Sequence, residues 1–218
     1  MTEYKITWLE PTDREHQWLR RYTSSDKHKC ATTGSFCNAM FDFGEADILY
    51  TTDGYIDGVR EDRKPPDVDP RWPTACSACG RPFGAEDPFQ LFSRQIYVCE
   101  ATGARTTLEK APVGSCWDAW WISERRKDGP TGSAWMVGPD HRSLTVKLPG
   151  NHDWLIDSRA KNCTMPEDNE HFCWVRHGRP EDGTLHVDKN GHTCAAGAGS
   201  IAVPGFHGFL HHGVLRDC

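Results

Sequence analysis

The stretch from Asn162 to Cys194, NCTMPEDNEHFCWVRHGRPEDGTLHVDKNGHTC, packs three cysteines and four histidines into a short span broken by turn formers. This density of soft donors constrains the chain more than any other feature, because thiols and imidazoles so close must pair, pack or bind metal. Its centre, His171-Phe172-Cys173-Trp174-Val175-Arg176-His177, is aromatic and β-branched, which predicts a strand. Alternate residues of a strand share a face, so His171, Cys173, Val175 and His177 line one side and Phe172, Trp174 and Arg176 the other. His171 and Cys173, roughly 6.6 Å apart on a strand, can meet at one ion; His177, roughly 13 Å beyond Cys173, cannot. Cys163 reaches them through the turn-rich segment 164–170, and Lys189-Asn190-Gly191 predicts a hairpin turn that brings back Cys194. Cys163, His171, Cys173 and Cys194 make a tetrahedral zinc set, with His192 as the alternate fourth ligand. A Cys163–Cys173 disulfide and plain core cysteines are the competing readings. If water took one position the ion would be catalytic, with Glu170, Asp168, Asp157 or His152 as its base.

A second group of thiols lies earlier. Cys76-Ser77-Ala78-Cys79-Gly80 has the form of a zinc knuckle, in which two thiolates three apart point at one ion and the following turn aims backbone amides at the sulfurs. Cys30 and Cys37, with Gly34 between them, supply the other half, and His28 is an alternate for one of them. Cys30, Cys37, Cys76 and Cys79 together give four thiolates, enough for a closed tetrahedral site. The expected cofactor is therefore Zn2+, one ion or two. The start, MTEYKITWLEPTDREHQ, is polar and lacks the apolar segment of a secretion signal, so a reducing cytoplasm is expected, where clustered cysteines bind metal more often than they pair. No run approaches the roughly 18 apolar residues of a membrane helix, and no membrane partner is expected.

Only 37% of the 218 residues are hydrophobic, and mean hydropathy is -0.65. Nine Trp and nine Phe still provide core area, while 20 Gly and 14 Pro imply many turns. The expected class is α+β, mainly β and loop-rich with short helices: a zinc-ribbon-like N-terminal part, residues 1–128, and an antiparallel β C-terminal part, residues 134–218. Strands are predicted over 4–9 (ended by Pro11), 46–50 and 143–148, with hairpins over 89–108 and 134–148. Helices are predicted over 14–22, N-capped by Asp13, and over 116–126, where Trp117, Trp120 and Trp121 would share a face. Asp157 and Arg159, two apart on a strand, are read as an ion pair. Residues 57–73 are charged and Pro-rich, a loop or linker. A net charge of -6 argues against a general nucleic-acid binder. The basic segment Arg14, Arg20, Arg21, Lys27 and Lys29 keeps nucleic acid as the less favoured partner.

Gly150-Asn151-His152-Asp153 resembles one block of the calcineurin-like metallophosphoesterases, but the other ligand blocks of those enzymes are absent. A broader resemblance rests on Trp135, Leu144-Thr145-Val146, Cys163 and His171-Phe172-Cys173-Trp174-Val175-Arg176-His177-Gly178. In this region the chain is similar to a bacterial and phage zinc-binding-like family of uncharacterised function, from whose block Cys173 departs as an insertion. The segments DSRAKNCTMPEDNEHFCWVRHG and DKNGHTCAAGAGSI resemble proteins of tailed actinobacteriophages. The resemblance implies a phage protein located in the host cytoplasm or the virion, and zinc. With the composition it leads to an expected binding or structural module acting on a host or virion protein. A zinc-dependent hydrolase of a nucleotide, nucleic acid or peptide bond is the alternative, and a nucleic-acid-binding zinc protein the third reading.

Overall fold

The computed structural model describes residues 2–23, 29–46, 69–122, 136–160, 162–168, 171, 173–188 and 200–218. The chain is mainly β, as its composition predicts, with antiparallel sheets and very little helix. Two compact units emerge: unit 1 is residues 1–10 and 97–218, and unit 2 is residues 11–96. The sequence-based division at 128–134 lies outside the described residues.

In unit 1, β1 (Glu3–Lys5), β13 (Val214–Asp217), β12 (Phe206–His211) and β11 (Ile201–Val203) form one antiparallel sheet in that order. The order follows from chain economy: β11, β12 and β13 are a meander joined by Gly205 and Gly213, both at positive φ, and β1 closes its free edge. Gly208 sits in β12 where a Cβ would fall 2.0 Å from the backbone oxygen of Arg216. Gly208→Ala should therefore cost about 1–3 kcal/mol by forcing the strands apart. A lowered urea midpoint with an unchanged slope would read that loss.

A second sheet of unit 1 places the start of β2 (Thr7–Tyr22) parallel to β6 (Ser115–Asp118), followed by β7 (Leu144–Leu148) and β8 (His152–Leu155), both antiparallel. The end of β4 (Phe89–Cys99) pairs with β5 (Arg105–Thr106), as the hairpin expected there requires. All five residues of β7 are buried, the mark of a strand covered on both faces. Among them Lys147 is only 2% exposed, and it is accommodated by Asp153 at 2.5 Å and the Trp117 ring beneath its ammonium. The main core of unit 1 gathers Trp8, Leu144, Val146, Leu148, Ile156, Leu185 and Leu215 with their neighbours. A smaller pair, β9 (Val175–His177) and β10 (His186–Asp188), is antiparallel. In unit 2, β2 pairs with β3 (Asn38–Ala46), with a bulge at Gln17/Trp18.

Several local expectations are corrected. Residues 14–22 are not a helix: β2 runs from Thr7 through exposed Pro11 to Tyr22. Gln17, Leu19 and Arg21 are buried while His16, Trp18, Arg20 and Tyr22 are half-buried, a period of two. The Trp18–Tyr22 spacing of four fits either period, so it could not discriminate. Proline removes only one ladder donor and is tolerated where that bond is not needed. Residues 115–118 are likewise strand, because Cys116 pairs with Trp8 on one side and Val146 on the other. Among the described residues, helix there is confined to 120–122. β7 pairs with β6 on one edge and, through the turn 149–151, with β8 on the other; of the strand expected over 134–137 only 136 and 137 are described, and neither is in a strand. The metallophosphoesterase-like Gly150-Asn151 is thus a hairpin turn, in which both residues take positive φ. Among the described residues of 171–177 the predicted strand is limited to Val175–His177, and of the one predicted over 46–50 only Ala46, the end of β3, is described.

Candidate metal centre

Unit 2 carries two turns of the same design. In the first, the Cys30 N–H donates to Ser35 O at 2.6 Å and the Gly34 N–H returns to Cys30 O at 2.9 Å. In the second, the Cys76 N–H donates to Arg81 O at 2.8 Å and the Gly80 N–H returns to Cys76 O at 2.9 Å. Gly34 and Gly80 both have positive φ, the conformation each turn requires. Isolated bridges Lys29–Phe36 and Ala75–Pro82 close the two loops. The loops are tied together by the Ser77 N–H to Asn38 O at 3.1 Å and the Thr32 hydroxyl to Ala78 O at 3.2 Å.

This framework brings Cys30, Cys37, Cys76 and Cys79 together, with all four sulfurs within 4.8 Å of one another. Cys37 Sγ and Cys79 Sγ are 3.7 Å apart, far beyond a disulfide bond of about 2.05 Å. All four are free thiols. The group can hold a metal ion. Its electrostatics favour thiolates unevenly. Cys30 is drawn down to about 6 by the Thr33 hydroxyl and the N–H groups of Thr33 and Thr32. Burial opposes ionisation of Cys76, but the N–H groups of Ala78 and Cys79 outweigh it and lower its pKa. Cys37 is pushed up to about 11 by burial and by the Cys79 sulfur, against the pull of Arg81. A cation at the centre must therefore displace a proton from Cys37. Thr33 and Arg81 escaped the sequence reading; each lies within three residues of a cysteine, and that proximity was the only signal.

Arg21 supports the second turn. Buried in β2, it donates to Pro73 O at 2.9 Å and Gly84 O at 2.5 Å, with its guanidinium over the Trp72 and Phe83 rings. Phe83 in turn packs on the thiols. Arg14 is paired with Glu45 at 3.0 Å. Two cations of the basic segment thus face protein groups rather than a phosphate backbone. Lys27 and the alternate ligand His28 lie outside the described residues.

Unit 1 holds a second cluster. Cys163, His171 and Cys173 offer donor atoms within 4.8 Å of one another, and Cys173 Sγ is 3.3 Å from His171 Nε2. His171 and Cys173 are fully buried. The expected fourth ligand Cys194, its alternate His192 and the candidate base Glu170 lie outside the described residues. His177 is elsewhere, exposed on β9 and 3.5 Å from Asp188.

Of the remaining candidate bases, Asp157 has a partner other than the one expected. Asp157 pairs with Arg176, not Arg159: Arg176 Nε is 3.0 Å from Asp157 Oδ1, and the Leu144 N–H donates to Asp157 Oδ2 at 3.3 Å. Arg176 also grips Asp140 through two bonds of 3.0 and 2.5 Å, and Arg142 links Asp140 to Glu181. Burial pushes Asp140 up, but Arg176 and Arg142 outweigh it and hold its carboxyl well below the usual range. Arg159 instead donates to the carbonyls of Met165, Pro166 and Asp168. A cavity of about 470 Å³ lies against Asp140, Arg142, Arg176 and Arg179, groups largely engaged with each other or with Glu181. No helix among the described residues is long and apolar enough to cross a membrane. The chain matches no family model, no curated protein sequence and no solved structure.

Proposed function

We propose that the protein is a zinc-stabilised binding module, in which the ion held by Cys30, Cys37, Cys76 and Cys79 is structural. The observation that carries this is the closed set of four thiols on two matched, amide-lined turns. Tetrahedral zinc with bonds of about 2.3 Å needs sulfurs about 3.8 Å apart, and Cys37 and Cys79 are 3.7 Å apart. Four protein donors leave no position for a reactive water, so such an ion organises the chain and takes no part in turnover. Four thiolates around a divalent cation carry two excess negative charges, which Arg81 beside Cys37 partly offsets.

The resemblance to proteins of tailed actinobacteriophages supports a phage origin, with the host cytoplasm or virion as location and a host or virion protein as partner. The hydrolase reading has less support, since Asp157 is committed to Arg176. Native mass spectrometry and elemental analysis, followed by a panel of nucleotide, oligonucleotide and peptide substrates, test the choice. Bound zinc without metal-dependent turnover is expected. Turnover lost on chelation and restored by zinc would replace the binding module with the hydrolase, and oligonucleotide binding that weakens steeply with salt would favour the nucleic-acid reading.

A further inference from the structure

We infer that Cys163, His171 and Cys173 form a second zinc site in unit 1, built on other residues than the four-thiolate centre and independent of it. Three observations converge. The first is geometry. Bonds of about 2.3 Å to sulfur and 2.0–2.1 Å to nitrogen place those two donors about 3.5 Å apart around a tetrahedral ion. Cys173 Sγ and His171 Nε2 are 3.3 Å apart, and Cys163 Sγ completes a triangle with every edge within 4.8 Å.

The second is burial. His171 and Cys173 have no exposed surface, and Cys173 is part of the main core of unit 1. A thiol–imidazole pair acting as a nucleophile has to meet a substrate, which a fully buried pair cannot do. Two thiols and an imidazole whose donor atoms lie within 4.8 Å of one another suit a soft cation.

The third is the support of the loop that delivers Cys163. Arg159 donates to three backbone carbonyls, of Met165, Pro166 and Asp168, and the Met165 N–H points at Cys163 Sγ at 3.4 Å. The guanidinium thereby gathers residues 165–168 around itself, just after Cys163. The amide directed at the sulfur is what stabilises a metal thiolate. Two thiolates and a neutral imidazole match the charge of a divalent zinc ion, and the fourth tetrahedral position falls to a donor beyond these three. Binding releases the two thiol protons.

The test uses the full chain purified without chelator. Wild type should carry two zinc ions, and Cys163→Ser/Cys173→Ser should carry one. X-ray absorption at the zinc edge of the wild type needs no variant and guards against a misfolded mutant. With both sites filled it should show an average of about three sulfur donors per ion plus a histidine nitrogen signal, where the four-thiolate centre alone gives about four sulfurs and no nitrogen. Arg159→Ala should lower the occupancy of the second site while leaving the first filled. One ion per chain with an all-sulfur shell would overturn the inference. So would a Cys163–Cys173 disulfide detected by peptide mapping, or a double variant that keeps both ions.

Discussion

Replacing Cys76 and Cys79 together with serine should unfold unit 2 and leave the folded core of unit 1 recognisable. The reason is the distribution of apolar burial. Among the described residues the main core of unit 1 joins fifteen buried residues, whereas the cluster of unit 2 consists of Cys30, Cys37 and Cys76, with Cys79 and Phe83 packed against them. Leu19, Ala39, Phe43 and Ile96 add only scattered buried area there. A structural zinc contributes about 10–16 kcal/mol to the folding of a small domain, comparable to or above the whole stability of about 5–15 kcal/mol of an ordinary one. Two-dimensional NMR would show the dispersed amide signals of residues 11–96 collapsing, with one zinc ion lost. The Cys37 thiol, raised to about 11, makes the metal-free state worse, since the cluster then buries protonated sulfur with no ion to organise it. A unit 2 that stayed folded without zinc would show that its strands, not the ion, hold it.

Arg176→Met should destabilise unit 1 by about 3–5 kcal/mol near pH 8, because it leaves a buried carboxylate without its cation. Asp157 is 5% exposed, and without Arg176 its one remaining bond shown here is the long one from the Leu144 N–H. Burial pushes Asp157 up to about 6 even with the guanidinium present. Removing that positive charge raises it further. A carboxyl whose folded pKa exceeds the unfolded value of about 3.9 favours the fold when protonated and opposes it once ionised. The deficit of the variant should therefore grow as pH rises from 5 to 8. Adding Asp157→Asn should recover much of it and flatten the pH dependence. Urea titrations at the two pH values check both statements, and a deficit independent of pH would show that the lost interaction is packing, not charge.

How far the sequence could be read depended on the range of the interaction. The hairpin of β4 and β5 was legible because its turn and its alternation lie within one short segment. The helix expected over 14–22 failed because only tertiary pairing separates a period of two from a spacing of four: β3 aligns Leu19 with Phe41 and Arg20 with Met40, and no local signal announces that ladder. The same holds for Trp117, which has the spacing of a helix face with Trp120 and Trp121 but pairs with Thr145 in a sheet, beside Cys116 between Trp8 and Val146. The partner of Asp157 was misread for a related reason: Arg159 was the nearest cation in sequence, while Arg176 comes from β9 and meets Asp157 in the turn after β8.

The sequence by itself determined the donor chemistry and the β character. Thiols, imidazoles and turn-forming glycines act within a few residues, and their spacing limits which turns they can build. Only the tertiary structure decided that Cys30 and Cys37 meet Cys76 and Cys79, that Cys163 lies beside His171 and Cys173, and that Arg159 holds residues 165–168. These contacts join residues separated by long stretches of chain or by an irregular loop, and there position is set by the packing of whole strands and by the search for partners for buried polar groups.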